Sequence, residues 1–311
     1  MHQRNTVILA GSGRSGTTWL GSILDTYEGA DYFFEVEHFA GLDFDSPDLL
    51  RAKYPFIHFL NDSPAWIQRL EHGLLIAMRS MDVGRSLATR SLRIRYQFQP
   101  KTAAKNFNLF KSVRLLQVAL RYPELKSKYG QQLRLAHLIR NPFAQFASTS
   151  KMKQRGKVNT ANAFRGEIDL VLSTPRLSKY HALARSYRDS SWAEKSALIW
   201  WIANEMLVDQ MDENKTIVVY EALTREPLVE TSRIFDFLGW PLSAQTRDYI
   251  RETTDAKRSE GGQFSVHKSA SDGLTSWTRD LTSEDYEKMS QLLRDCRLMR
   301  LWSEDELALR R

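Results

Sequence analysis

The chain has one cysteine, Cys296, in 311 residues. An internal disulfide and a cysteine-rich zinc site are therefore excluded. A lone cysteine is most simply a buried small hydrophobe, and its scarcity fits a reducing compartment. Long apolar runs are missing too. Nothing approaches the roughly 18 residues needed to cross a bilayer. Only Val7 to Ala10 precede Gly11 at the start, too few for the apolar core of a signal peptide, about 7–15 residues. The reading is a chain with no membrane span and no export signal, placed in the cytoplasm. No long Lys/Arg run, low-complexity tract or internal repeat occurs, which counts against a nucleic-acid tail.

What is present is an ordinary globular composition, 42% apolar and 26% charged, which excludes wholesale disorder. The length allows two domains, or one α/β domain with insertions. Such a chain buries on the order of three quarters of its unfolded surface. Lys plus Arg number 44 against 37 Asp plus Glu, a net charge of +7. That excess favours an anionic partner, whether nucleotide, nucleic acid or acidic glycan, without choosing among them.

Hydrophobic patterning gives the order of elements. Thr6 to Ala10 is a β-branched and aliphatic run that stops at Gly11, as a buried parallel strand does. Trp19, Leu20, Ile23 and Leu24 then recur at helical spacing. Further strands are predicted at Asp31–Val36, Phe107–Val113, Leu133–Ile139 and Thr216–Tyr220. Helices are predicted at Leu115–Leu120, from Pro142 to Lys153, at Leu177–Arg188, Trp192–Met211 and Leu228–Leu238, and from Thr282 to about Arg297. Gly239 and Pro241 stop the helix before them. Gly156–Thr174 and Ser259–Ser276 read as loops. Residues 40–105 are less regular, with Trp66, Leu70, Leu74 and Met78 at four-residue spacing, and form an insertion. Alternating strands and helices imply a mostly parallel sheet covered on both faces.

The chemistry concentrates in Gly11-Ser12-Gly13-Arg14-Ser15-Gly16-Thr17-Thr18. A glycine turn between strand and helix presents backbone N–H groups and a helix N-terminus to an anion. Three readings compete. Gly11-x-Gly13-x-x-Gly16 matches a dinucleotide turn, with Glu35 near the distance for a ribose contact. Gly11-x-x-x-x-Gly16 matches half of a Walker A loop, but Thr17 stands where lysine belongs. In the third, Arg14 and the following hydroxyls hold a 5′-phosphate group. A second segment ends the Leu133–Ile139 strand at Arg140, with Pro142 in the first turn of the next helix and Ser148 eight residues after Arg140. Ligands of α/β sheets bind at this strand edge.

Arg14-Ser15-Gly16-Thr17-Thr18 after a short strand resembles the 5′-phosphosulfate loop of sulfotransferases that use 3′-phosphoadenosine 5′-phosphosulfate (PAPS). Arginine at this position is the carbohydrate and tyrosylprotein form; cytosolic members carry lysine. The resemblance implies that Gly13, Arg14, Ser15, Gly16, Thr17 and Thr18 hold the 5′ side of the donor. It also implies that Arg140 and Ser148 hold the 3′-phosphate, and that Trp19 and Tyr220 lie against the adenine. Ile217-Val218-Val219-Tyr220-Glu221 with Phe237-Leu238-Gly239 is similar to a later part of the family. Lys268 would lie in the loop that closes over the 3′-phosphate, although the usual Arg-Lys-Gly is absent there. Lys111 in Lys111-Ser112-Val113-Arg114 would reach the sulfuryl group; the other reading of Lys111 is a solvated strand-end lysine. Val113 occupies the position of the cytosolic histidine base. The base role therefore goes to Glu35, 21 residues after Arg14 as in tyrosylprotein members. Glu37 lies on the same strand face and is the second candidate, followed by His38.

The resulting expectation is a single sulfotransferase domain over residues 1–311, an α/β fold with a P-loop-like parallel sheet flanked by helices. Residues 40–105 form a helical acceptor-side insertion in which Tyr54 and Trp66 could stack on a sugar. The activity implied is transfer of a sulfuryl group from PAPS to a hydroxyl on a sugar or glycan. Arg14, Lys111 and Glu35 would act as catalytic residues, with no metal and no nucleic acid. The alternatives are a P-loop nucleotide kinase-like enzyme and a non-catalytic binder of acidic glycan or nucleic acid.

Overall fold

The structure, a computed structural model, describes residues 5–34, 106–154, 164–254 and 274–309. Its strands are β1 (Asn5–Gly11), β2 (Ala30–Phe34), β3 (Phe107–Ser112), β4 (Leu133–Ile139) and β5 (Lys215–Val219). The helices are α1 (Thr17–Leu24), α2 (Leu115–Tyr129), α3 (Pro142–Gln154), α4 (Arg165–Ser173), α5 (His181–Ser186), α6 (Trp192–Asp209), α7 (Tyr220–Arg225), α8 (Pro227–Leu238), α9 (Ala244–Thr254), α10 (Trp277–Asp280), α11 (Ser283–Leu293) and α12 (Glu304–Leu307).

The strands form one sheet in the order β2-β3-β1-β4-β5, and every pairing is parallel. Strand β1 is central, with Asn5 opposite Phe107 and Thr6 opposite Leu133. Its unbroken apolar run follows from burial on both faces. Alternation then divides the core. Ile8 and Ala10 join Phe110, Leu135 and Ile139 under α2, α3, α6 and α11. Val7 and Leu9 join Leu109, Leu138 and Val218 under α1 and α8. The α/β class and the parallel sheet agree with the expectation from the sequence.

Several boundaries differ. Helix α2 runs to Tyr129 and passes through Pro123. Proline has no N–H, so the Ala119 carbonyl four residues back loses its helical donor. The Gln210 side chain supplies one instead, at 3.3 Å. The stretch Gly156–Thr174, read as a loop, contains α4, and α9 was not expected. The predicted helix Leu177–Arg188 is a 3-10 turn at Pro175–Tyr180 followed by α5. Strand β5 ends at Val219, and Tyr220 opens α7. The Thr282 start is as read, since its hydroxyl accepts the Asp285 N–H at 3.1 Å, although α11 ends at Leu293. Cys296 is buried, and burial pushes its thiol up to about 12, so it is inert at neutral pH.

A buried polar chain links the core to the loop edge. His137 of β4 meets Asn204 Oδ1 at 2.9 Å. Asn204 donates its amide to the Trp200 carbonyl at 2.7 Å, so Nε2 of His137 carries the proton. Trp200 donates its indole N–H to the Arg140 carbonyl at 3.0 Å. Burial pulls the His137 pKa down from 6.5 to about 4, against the Asn204 hydrogen bond and with help from the Lys215 charge. Between these values the unfolded chain binds a proton that the folded chain refuses, so stability falls as pH falls through this window. At about 1.4 kcal/mol per pH unit the loss approaches about 3 kcal/mol. Urea unfolding at pH 7 and pH 4.5 is expected to show this drop, and His137→Gln should shrink it. An equal drop in the variant would assign the acid sensitivity to other groups.

Candidate active site

The turn after β1 is built by two crowded glycines. A Cβ on Gly11 would lie 2.6 Å from Ser15 Oγ and 3.0 Å from the Leu138 carbonyl. Gly16 has φ +100°, and a Cβ there would lie 2.4 Å from the Tyr220 ring. Between them Arg14 adopts φ 69°, a left-handed conformation that costs an L-residue roughly 1–2 kcal/mol. The Ser15 N–H closes the turn on the Ser12 carbonyl at 3.1 Å. Helix α1 follows at once, and its first N–H groups have no intrahelical partner. A glycine turn followed at once by a helix start is an arrangement that suits an anion. The Ser15 hydroxyl is 1% exposed and has no hydrogen-bond partner among the described residues. Thr17 is buried, and the Thr18 carbonyl accepts from Ser22.

Arg140 emerges where β4 ends. Its Nη1 donates to the Arg14 carbonyl at 2.8 Å, which fixes the strained residue. Its guanidinium lies 4.4 Å from the centre of the Tyr220 ring. Ser148, two turns into α3, accepts from Arg14 Nε at 3.1 Å. Trp19 meets Tyr220 edge-on, with centroids 6.5 Å apart, and donates its indole N–H to Thr253. Arg14, Ser148, Arg140, Tyr220 and Trp19, drawn from three stretches of the chain, therefore form one connected cluster at the carboxyl edge of the sheet. Lys111 is 0% exposed. The solvated strand-end reading of Lys111 is thereby corrected; its position on β3 beside Leu9 places it in the interior. Glu35, Glu37, His38, Tyr54, Trp66 and Lys268 lie outside the described residues.

The family model of the sulfotransferase domain matches residues 4–300. This chain belongs to the sulfotransferase family. Carbohydrate sulfotransferase 3 of Mus musculus is 26% identical over 173 residues, 56% of this chain and 34% of that protein. Carbohydrate sulfotransferase 4 of Mus musculus is 26% identical over 195 residues, 61% of this chain and 46% of that protein. The chain thus spans less than half the length of either relative. The sulfotransferase domain of the olefin synthase of Synechococcus PCC 7002 covers 97% of this chain and 98% of its own at 16% identity, with a TM-score of 0.49.

Sequence reasoning overlooked two supports of this cluster. Glu221 is buried beside Arg140's strand end, where Oε1 accepts the Asn141 N–H at 3.1 Å and Oε2 the Trp302 indole N–H at 2.8 Å. Burial raises its pKa, opposed by the Trp302 bond and the Arg140 charge. Trp200 holds the Arg140 carbonyl from α6. The signal for Glu221 was its place directly after Tyr220; nothing in the sequence marked Trp200 from its helical neighbours.

Proposed function

We propose that this sulfotransferase takes its sulfuryl group from PAPS and transfers it to a sugar hydroxyl. The observation that carries the donor reading is the cluster itself. Two guanidiniums and a serine hydroxyl are joined through the loop carbonyl, with two aromatic rings alongside. The chemistry suits a nucleotide with phosphates at both ends of its ribose. Arg14 and the α1 start would take the 5′ side, Arg140 and Ser148 the 3′-phosphate, and Tyr220 and Trp19 the adenine side. The buried, unpartnered Ser15 hydroxyl fits the same loop. The two carbohydrate sulfotransferase relatives support the sugar acceptor.

In the transfer, the acceptor oxygen forms a bond to sulfur as the bond from sulfur to the 5′-phosphate oxygen breaks, without a covalent enzyme intermediate. The acceptor proton passes to a base, for which Glu35 is proposed. Negative charge grows on the departing phosphate, where Arg14, helped by Lys111, would stabilise it.

Calorimetry tests the donor. The desulfated product of PAPS, which keeps both phosphates, is expected to bind far more tightly than ATP, which lacks the 3′-phosphate. Charge-assisted hydrogen bonds contribute about 1.5–3 kcal/mol, so Arg140→Ala should weaken product binding about ten- to a hundredfold. Equal affinity for ATP and the product would overturn the assignment.

A further inference from the structure

A cavity of about 220 Å³ borders the Ser12–Arg14 turn, walled by α2, α3, α4 and α6. Three of its lining side chains carry buried polar atoms with no hydrogen-bond partner among the described residues: Arg114 Nε, Gln117 Nε2 and Gln145 Oε1. Gln117 is 2% exposed. It sits on α2 within Leu115, Leu116, Val118 and Ala119, all buried, where an unpaired amide is costly. Folded proteins keep few such atoms, and here three belong to side chains on two walls of one cavity. Thr149 lies among them, its hydroxyl donating to the Gln145 carbonyl and its lone pairs left over. Glu167 is the one carboxylate among the described lining residues.

The unmet groups specify a ligand. Arg114 and Gln117 need acceptors, and Gln145 needs a donor. Reversing either amide exchanges the roles but leaves a group unmet. Hydroxyls on neighbouring carbons both donate and accept, so a polyol ring completes all three; a phenol or sterol offers one hydroxyl and an apolar body. The volume lies below the roughly 300–1,000 Å³ of drug-sized pockets, which suits one ring. The Ser12–Arg14 wall is shared with the donor cluster, so a ring here would stand next to the departing phosphate.

We propose that Arg114, Gln117 and Gln145 read the acceptor as a hydroxyl-rich pyranose, one sugar unit at a time. The inference rests on the sugar-acceptor reading above. Its test uses methyl glycosides of galactose, glucose, N-acetylglucosamine and N-acetylgalactosamine, with disaccharides of each and 4-nitrophenol for comparison. Sulfate gain is read by mass on the full chain with PAPS. Gln117→Met and Gln145→Met keep the side-chain length and remove the hydrogen bonds. Each is expected to raise KM for the preferred glycoside about three- to tenfold, the loss of one neutral hydrogen bond. Affinity for the desulfated donor product should match wild type, which also reports correct folding. A glycoside that is sulfated with unchanged KM in both variants would overturn the role of these residues and leave the sugar reading standing. Sulfation of 4-nitrophenol with none of any sugar would overturn both.

Discussion

Arg14→Ala is expected to lower kcat by about 10²–10³, the usual cost of removing one preorganised group aimed at developing negative charge. The residue does three things at once. Its guanidinium reaches Ser148 on α3, its carbonyl receives Arg140, and its backbone holds the left-handed turn. Alanine keeps the strain and the carbonyl but removes the charge. Arg14→Lys keeps the charge without the planar fork and should fall between. Turnover and affinity for the desulfated product, measured together, separate a charge effect from a collapsed loop. A turnover within threefold of wild type for Arg14→Ala would remove Arg14 from the chemistry.

The other large effect is expected at Glu35. A sugar hydroxyl is a weak nucleophile at neutral pH, and a positioned base contributes about 10²–10⁴ in rate. Glu35→Gln keeps the shape and removes the base, so kcat should fall by that factor while product affinity holds. Glu37→Gln belongs in the same experiment. Loss in Glu37→Gln with turnover retained in Glu35→Gln moves the role by two residues. Full turnover in both defeats the carboxylate mechanism and directs attention to His38.

The sheet was legible because a parallel strand buried on both faces has to be continuously apolar. Thr6–Ala10 and Thr216–Val219 come nearest to this, while Asn108 and Lys111 interrupt Phe107–Ser112, and Arg134 and His137 interrupt Leu133–Ile139, without hiding the pattern. Helices that bury little were not legible. In α9 the buried positions are Thr246, Ile250 and Thr253, and two threonines leave scant hydrophobic signal. In α4 only Ile168 and Val171 are buried. The glycine turn was legible since its backbone geometry demands particular residues, at Gly16 by a positive φ and at Gly11 by contact. The cavity was not. Gln117 and Gln145 read as ordinary polar positions on helices, and only packing shows that Gln117 faces inward. The clue lay in the neighbours of Gln117, an apolar run with one amide inside it. Pairing of Arg14 with Ser148 spans 134 residues; the resemblance put both on a donor, but no local pattern could show that they touch.

The central position of β1 has a bearing on how the chain matures. Asn5 cannot pair until Phe107 has been synthesised, nor Thr6 acquire its other neighbour until Leu133 emerges. Long-range parallel pairing of this kind is slow, and until it happens Val7–Ala10 present an open apolar edge of the sort that invites aggregation. A nascent chain released before Leu133 would have no β4 and no Arg140 to grip the Arg14 carbonyl. Tyr220, which fills the space beside Gly16, arrives later still. The segment from Gly11 to Thr18 thus leaves the ribosome well before the partners that give it its final shape.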